Sequence, residues 1–92
     1  MKYGLYSIVD KKANFASKPF TAQNDEVAIR TISNSMKDPK SQDTEYVINP
    51  DDFHLIRIGY FEDATGDVIA DKEKLKEFSE LSVKIKSKPR NQ

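Results

Sequence analysis

Alternating apolar and polar positions near the start of the chain predict a β-strand over residues 2–9. One face of this strand would carry Tyr3, Leu5, Ser7 and Val9, and the other would carry Gly4, Tyr6 and Ile8. A polar turn at residues 10–12 follows. Residues 13–20 then predict a second, more polar strand, with Ala13 and Phe15 on one side. Because Pro19 has no N–H to donate, this strand must lie at a sheet edge or end there.

A 3.6-residue period replaces the alternation at residues 25–37 and predicts a helix. Asn24 precedes it as a suitable N-cap, and two acidic residues occupy the first turn, where the helix dipole favours negative charge. Asp38 precedes Pro39, which disfavours the α conformation and should end the helix. The apolar stripe consists of Ala28, Ile29, Ile32 and Met36.

Residues 53–61 predict a central strand, because both of its faces carry large apolar groups. Phe53, Leu55, Arg57, Gly59 and Phe61 would share one face, and His54, Ile56, Ile58 and Tyr60 the other. A tight turn follows, in which Gly66 supplies the positive φ, and a partner strand begins at Val68. Between the helix and this hairpin, residues 38–45 form a polar loop, and residues 46–48 form a short turn or brief strand.

Asp71 is a suitable cap for a second helix over residues 72–81, with Leu75, Phe78 and Leu81 on its inner side. Residues 83–86 alternate like an edge strand, and residues 83–92 as a whole form a basic and flexible tail. The elements together predict an α+β fold: a small, mainly antiparallel sheet with one or two helices packed on one face, in a single domain over residues 1–82. Leu5, Phe53, Phe61 and Phe78 are the expected core residues.

The charge is uneven although its sum over the 92 residues is zero. Residues 1–22 carry four lysines against one acid, residues 23–80 carry seven bases against fourteen acids, and residues 81–92 carry four bases and no acid. Two basic ends therefore flank an acidic middle. If the ends meet in space, they form one positive surface; otherwise the lysines are simply solvated.

Enzymatic chemistry has little support in this sequence, and we expect no catalytic activity, no cofactor and no metal. The single histidine, His54, lies inside a predicted strand, and there is no cysteine to act as a nucleophile or metal ligand. The acidic turn around Asp63 lacks the carboxylate ladder of a calcium loop. No glycine-rich phosphate loop is present. The apolar stretches are far shorter than the roughly 20 residues of a membrane span, and no signal peptide is apparent.

Lysines and aromatic residues together suggest single-stranded nucleic acid as a ligand, because bases stack on aromatic rings while cations neutralise phosphates. Tyr6, Phe15 and Arg57 are the candidate stacking residues. The predicted phosphate contacts are Lys2, Lys11, Lys12, Lys18, Lys84, Lys86, Lys88 and Arg90. The alternative for the aromatic rings is a place in the core of a small sheet.

Three blocks of sequence resemble the small nonstructural protein of gokushovirus-type microviruses, which are tailless phages with circular single-stranded DNA. The blocks are residues 1–8 (MKYGLYSI), 23–30 (QNDEVAIR) and 50–66 (PDDFHLIRIGYFEDATG). The resemblance covers residues 1–70 and does not extend over residues 71–92. It implies a non-capsid phage protein of the host bacterial cytoplasm that serves single-stranded DNA synthesis, DNA binding or packaging. It brings no catalytic residues with it.

Two functions follow as expectations. The first is a phage accessory protein that binds single-stranded DNA during genome replication or packaging. The second is an adaptor that binds a phage replication protein, a procapsid or a host factor without touching DNA, as the acidic middle favours. Edge strands at residues 13–20 or 83–86 would offer pairing sites for a partner or for a second copy, so we also expect a homo-oligomer. A nuclease would need clustered carboxylates, which the spacing does not assemble.

Overall fold

The computed structural model describes residues 1–81 and has one sheet of five strands with helices on one face. Three long antiparallel strands form its body, in the order β1-β4-β5, and two short strands pair with the outer edge of β1. This confirms the predicted α+β class. The strands are β1 (Lys2–Asp10), β2 (Phe15–Ala16), β3 (Phe20–Ala22), β4 (Phe53–Glu62) and β5 (Asp67–Glu77).

The predicted helix is confirmed as α1 (Asp25–Lys37). The side-chain oxygen of Asn24 accepts the backbone N–H of Val27 at 2.9 Å and so caps the first turn. Two turns of 3₁₀ helix (Pro39–Ser41 and Pro50–Asp52) flank the four-residue helix α2 (Glu45–Ile48), where the sequence predicted a turn or brief strand. No helix within residues 1–81 combines the length and the apolar character needed to cross a membrane.

The edge strand predicted over residues 13–20 is present in two pieces. Residues 11–14 form the turn, and the strand itself is divided into β2 and β3 by a stretch that contains Pro19. The missing proline N–H accounts for the division, whereas the sequence predicted one strand over these residues. The side chain of Ser17 maintains contact with β1 across this gap, because its hydroxyl accepts the N–H of Ile8 at 3.0 Å.

The predicted helix over residues 72–81 is wrong for most of its length. Strand β5 continues to Glu77, and only residues 78–81 are helical within the described part of the chain. The backbone of β4 requires hydrogen-bond partners along its free edge, and this demand outweighs the helical charge pattern of the segment. Leu75 is the extra residue of a bulge, since Leu55 pairs with Lys76 while Ile56 pairs with Lys74.

A second irregularity corrects the predicted faces of β4. Tyr6 pairs with Arg57 and Leu5 pairs with Gly59, so Ile58 is the unpaired residue of a bulge. One extra residue reverses the alternation beyond it. Tyr60 therefore shares a face with Arg57 instead of with Ile56, and the Arg57 guanidinium lies 5.1 Å from the centre of the Tyr60 ring.

The core lies between α1 and one face of the sheet. It consists of Tyr6, Ala28, Ile32, Met36, Phe53, Leu55, Phe78 and Leu81. The expected core positions Phe53 and Phe78 are confirmed, and the ring of Tyr46 packs edge-on against both. Leu5 and Phe61 are corrections. Both are only half-buried and belong to the opposite face of the sheet, outside this cluster. The predicted strand at 83–86 and the predicted tail lie outside the described residues.

Candidate nucleic-acid interface

The turn between β1 and β2 presents two of the predicted lysines. Asp10 organises it, because one carboxylate oxygen accepts the backbone N–H groups of Lys12 and Ala13, each at 3.0 Å. Asn14 completes the reversal with φ 64°, a left-handed conformation that asparagine tolerates better than most residues. Both lysines, Lys11 and Lys12, are exposed. The short local bonds give the turn a defined backbone from which these side chains extend.

Phe15 immediately follows this turn and is 60% exposed, although it is a large apolar side chain in a strand. Lys18 is exposed three residues later, in the stretch between β2 and β3. We refer to Lys11, Lys12, Phe15 and Lys18 as the basic edge. Here an accessible aromatic ring lies in a segment with three cations, which is the combination that single-strand binding requires.

Two lysines have partners already. The ammonium of Lys11 lies 2.7 Å from Glu77 Oε1, and this contact joins the basic edge to the end of β5. Lys2 lies at the other end of β1, eight residues and thus about 27 Å from Asp10. Its ammonium is 5.3 Å from the centre of the Tyr60 ring. The structure therefore does not bring Lys2 together with the basic edge.

Arg57 is a correction to the predicted stacking residues. It is 6% exposed, and its Nη1 lies 2.6 Å from Asp25 Oδ2 while its Nη2 lies 2.9 Å from Glu73 Oε1. Its Nε donates to the backbone carbonyl of Asp71 at 3.2 Å. Burial alone would lower the pKa of Arg57, but the charge of Asp25 and the hydrogen bond to Glu73 raise it. With its donors directed to these partners, the guanidinium connects β4, β5 and α1 and is not a surface for a base.

Tyr6 is also unavailable for stacking, because its side chain is fully buried in the core. Its ring packs against Phe20 at 5.7 Å between centres, and its hydroxyl donates to Asp25 Oδ1 at 2.9 Å. Burial first, and then the hydrogen bond to Asp25, raises the pKa of the Tyr6 hydroxyl. Gly4 makes room for this ring, since a Cβ there would come within 2.0 Å of the Tyr6 hydroxyl oxygen.

The remaining predicted contacts, Lys84, Lys86, Lys88 and Arg90, lie outside the described residues. Leu81, the last described residue, is buried in the core and lies beside α1, where it lines a groove with Arg30 and Lys37.

Sequence reasoning missed two cations on α1. Arg30 and Lys37 line a groove of about 310 Å³ together with Leu81. Their spacing of seven residues, two helical turns, was the available signal, because it places both on one helix face. A further pocket of about 420 Å³ lies between the start of α1 and the ring of Tyr60, and two acidic residues, Asp25 and Glu26, line it.

Acidic groups outnumber bases in the described part of the chain. Residues 1–81 contain all fifteen acids but only eleven of the fifteen bases, because the other four lie beyond residue 81. No three side chains of the metal-ligating types converge within residues 1–81. His54 Nδ1 is buried without a hydrogen-bond partner in the described region, and burial lowers the pKa of this imidazole.

These observations define the chain as a small α+β domain that carries a lysine-rich turn, an exposed aromatic edge and an acidic body. A family model described as Phage ORF5 protein matches residues 3–81. The chain therefore belongs to the phage ORF5 protein family. No curated protein and no solved structure matches the sequence.

Proposed function

We propose that this phage accessory protein binds single-stranded DNA during genome replication or packaging, without catalytic activity. The observation that carries the proposal is the 60% exposure of Phe15, which follows the lysine-rich turn and precedes Lys18. A large apolar ring left in water costs free energy unless a ligand covers it. A nucleobase can cover it by stacking while the neighbouring ammonium groups contact the flanking phosphates.

Two further features support this assignment. Lys12 and Lys18 have exposed side chains on the same edge of the sheet, on either side of β2. The four bases that follow Leu81 in the sequence add positive charge to the chain. The sequence resemblance to gokushovirus-type microviruses extends the proposal to a single-stranded DNA phage and to action in the host cytoplasm.

Fluorescence anisotropy with a labelled oligo-dT strand tests the proposal. We expect binding by the full chain that weakens as salt is raised from about 50 to about 200 mM, because each neutralised phosphate contributes a slope of about −0.7 in single strands. Absence of an anisotropy change at the lower salt concentration would reject the proposal. Duplex DNA of the same length serves as the comparison for strand selectivity.

Matched variants locate the contact. Phe15→Ala should weaken binding about 5- to 150-fold, which corresponds to the loss of one stacked base. Ile48→Ala is the control, because Ile48 is a similarly exposed apolar residue (57%) in the acidic middle. Lys12→Gln with Lys18→Gln should reduce the salt slope, while Lys40→Gln should leave it unchanged. Equal effects of Phe15→Ala and Ile48→Ala would contradict a role for the basic edge.

The adaptor remains the second candidate, and one observation favours it. Residues 38–52 carry five acids against one lysine, and four of the acids are exposed. A surface of this sign attracts a basic protein partner and repels DNA. The triple variant Asp43→Asn, Glu45→Gln, Asp51→Asn tests this function by affinity purification from infected cells after nuclease treatment. Specific loss of one phage or host protein would support the adaptor, and an unchanged set of proteins would reject it.

A further inference from the structure

A groove of about 310 Å³ lies beside α1 and carries two cations that are not part of the basic edge. Arg30 and Lys37 line it two helical turns apart, which is about 10.5 Å along the helix axis. Both residues are exposed, and neither forms an ion pair within residues 1–81. Their charges are therefore available to a ligand. We call this feature the α1 groove.

The rest of the α1 groove offers contacts for a nucleobase. Ile29 and Leu81 provide apolar surface, and the Ser33 hydroxyl and the Asn34 amide provide hydrogen-bond donors and acceptors. Single-stranded nucleic acid is recognised through the faces and edges of its unstacked bases together with its phosphates. The volume of the groove is at the lower end of the range for small-ligand pockets. The α1 groove can therefore take one nucleotide of a strand.

Charge favours a polyanion as the ligand of this groove. Among the described residues that line it, Glu26 alone is acidic, and it lies eleven residues, or about 16 Å along the helix, from Lys37. From Leu81 the sequence continues with eleven residues that include four bases and no acid. The first of these bases, Lys84, follows Leu81 by three residues, a stretch that spans at most about 11 Å. Two separate parts of the sequence thus bring positive charge to the same groove, and a chain of phosphates can neutralise both.

We propose that the α1 groove is a second contact site for single-stranded DNA, in which Arg30 and Lys37 bind the phosphates on either side of one nucleotide. The inference rests on the proposed function, because it assumes that the chain binds single-stranded DNA. It shares no residue with the basic edge, so the two surfaces can be tested separately. A strand that contacts both surfaces is held more tightly than a strand that contacts one, because the second contact forms within a complex that already exists.

Fluorescence anisotropy with the labelled oligo-dT strand tests the proposal on the full chain. In about 0.1 M salt, a phosphate contact with a slope of about −0.7 contributes about fivefold to the affinity. Arg30→Gln with Lys37→Gln should therefore weaken binding about 25-fold and reduce the salt slope by about 1.4. Lys40→Gln with Lys72→Gln is the matched control, because it removes two exposed lysines that do not line the α1 groove. This control should weaken binding about twofold or less.

An added cation tests the same groove in the opposite direction. Asn34→Lys places a lysine in the α1 groove and should strengthen binding about fivefold. Lysine has a higher helix propensity than asparagine, so this variant should fold. Thr31→Lys adds the same charge to the same helix at an exposed position that does not line the groove, and it should strengthen binding about twofold or less. An equal gain in both variants would show that only net charge matters and would overturn the proposal.

The outcomes distinguish this inference from the proposed function. If Phe15→Ala weakens binding but Arg30→Gln with Lys37→Gln binds as tightly as its lysine control, the α1 groove is not a DNA site. The inference is then overturned, while the function of the basic edge stands. If the wild-type chain does not bind oligo-dT at all, the proposed function fails, and the inference fails with it.

Discussion

Arg57 Nη1 and Asp25 Oδ2 lie 2.6 Å apart and join the central strand to the first turn of α1. The other carboxylate oxygen of Asp25 accepts the hydroxyl of Tyr6 at 2.9 Å. Asp25 therefore has two functions. It places negative charge where the helix dipole favours it, and it provides the acceptor for a buried cation and a buried hydroxyl. The second function connects three elements that are distant in the sequence.

Asp25→Asn should reveal this second function. The amide can still accept from Tyr6 but presents N–H groups to Arg57, so we expect the free energy of unfolding to fall by about 1–3 kcal/mol. Glu26→Gln removes a charge from the same helical turn without removing any contact to Arg57 and should change it by a few tenths of a kcal/mol. Urea unfolding of both variants measures the difference. Equal midpoints would show that Asp25 acts only through the helix dipole.

Gly59→Ala should destabilise the β4–β5 hairpin. A Cβ at this position would lie 2.2 Å from the backbone carbonyl oxygen of Ile69, and a backbone atom cannot move aside as a side chain can. We expect a loss of about 1–3 kcal/mol, as for other overpacked sites. Thermal or urea unfolding measures the change, and retention of wild-type stability would mean that the bulge next to Gly59 relaxes freely.

Gly66 provides the contrast, because it is constrained by φ +79° and has open space around it. Gly66→Ala should cost about 1 kcal/mol from backbone strain alone. Asparagine tolerates this conformation, so Gly66→Asn should recover part of the loss. Gly59→Asn should recover none, since its problem is steric. Recovery at both positions would contradict the distinction between the two glycines.

The elements governed by local signals could be predicted from the sequence. The bounds of α1 follow from Asn24 and Pro39, and the turn follows from Gly66, because capping and backbone preference act over a few residues. The segment 72–77 could not be identified by such rules, because its alternating Lys and Glu suit a helix surface and an exposed edge strand equally well. Pairing with β4 decided between them, and pairing is a property of the whole sheet.

The candidate site was predictable to a similar extent. Exposure of Phe15 follows from its place on a polar edge strand interrupted by Pro19, which the alternation indicated. Arg57 was misassigned because the sequence contains no sign of the bulges in β5. Those irregularities direct the Asp71 carbonyl and the Glu73 carboxylate towards the guanidinium. The burial of Tyr6 also depends on Gly4, which lies two residues earlier on the same face of β1 and leaves space for the ring.

Asn24→Ala should lower the free energy of unfolding by about 1 kcal/mol, because the backbone N–H of Val27 loses its side-chain acceptor. Asn34→Ala is a suitable control within the same helix. Asn34 is exposed in the helix interior, where alanine has the higher helix propensity, so its replacement should be neutral or stabilising. Circular dichroism during thermal unfolding distinguishes the two. A comparable loss in both variants would indicate a general effect of removing asparagine and not the loss of a cap.

Glu77 should make stability depend on pH in the acid range. The side-chain hydrogen bonds from Lys11 and Lys74 lower the pKa of Glu77 from its ordinary value of 4.5 to about 2. As the pH falls, Glu77 is therefore protonated in the unfolded chain before it is protonated in the folded protein. The stabilisation is complete above pH 4.5 and is lost as the pH falls towards 2. Since both pairs are partly exposed to solvent, we expect a contribution of about 1 kcal/mol.

Glu77→Gln removes the titrating group and tests this assignment. The variant should be less stable than the wild type at neutral pH. The free energies of unfolding of the two proteins should converge as the pH falls from 4.5 to 2. Asp43→Asn serves as the control, because Asp43 is an exposed carboxylate and its removal should leave the pH dependence of the wild type intact. A constant difference between Glu77→Gln and the wild type across this range would show that the stabilisation comes from packing of the side chain and not from its charge.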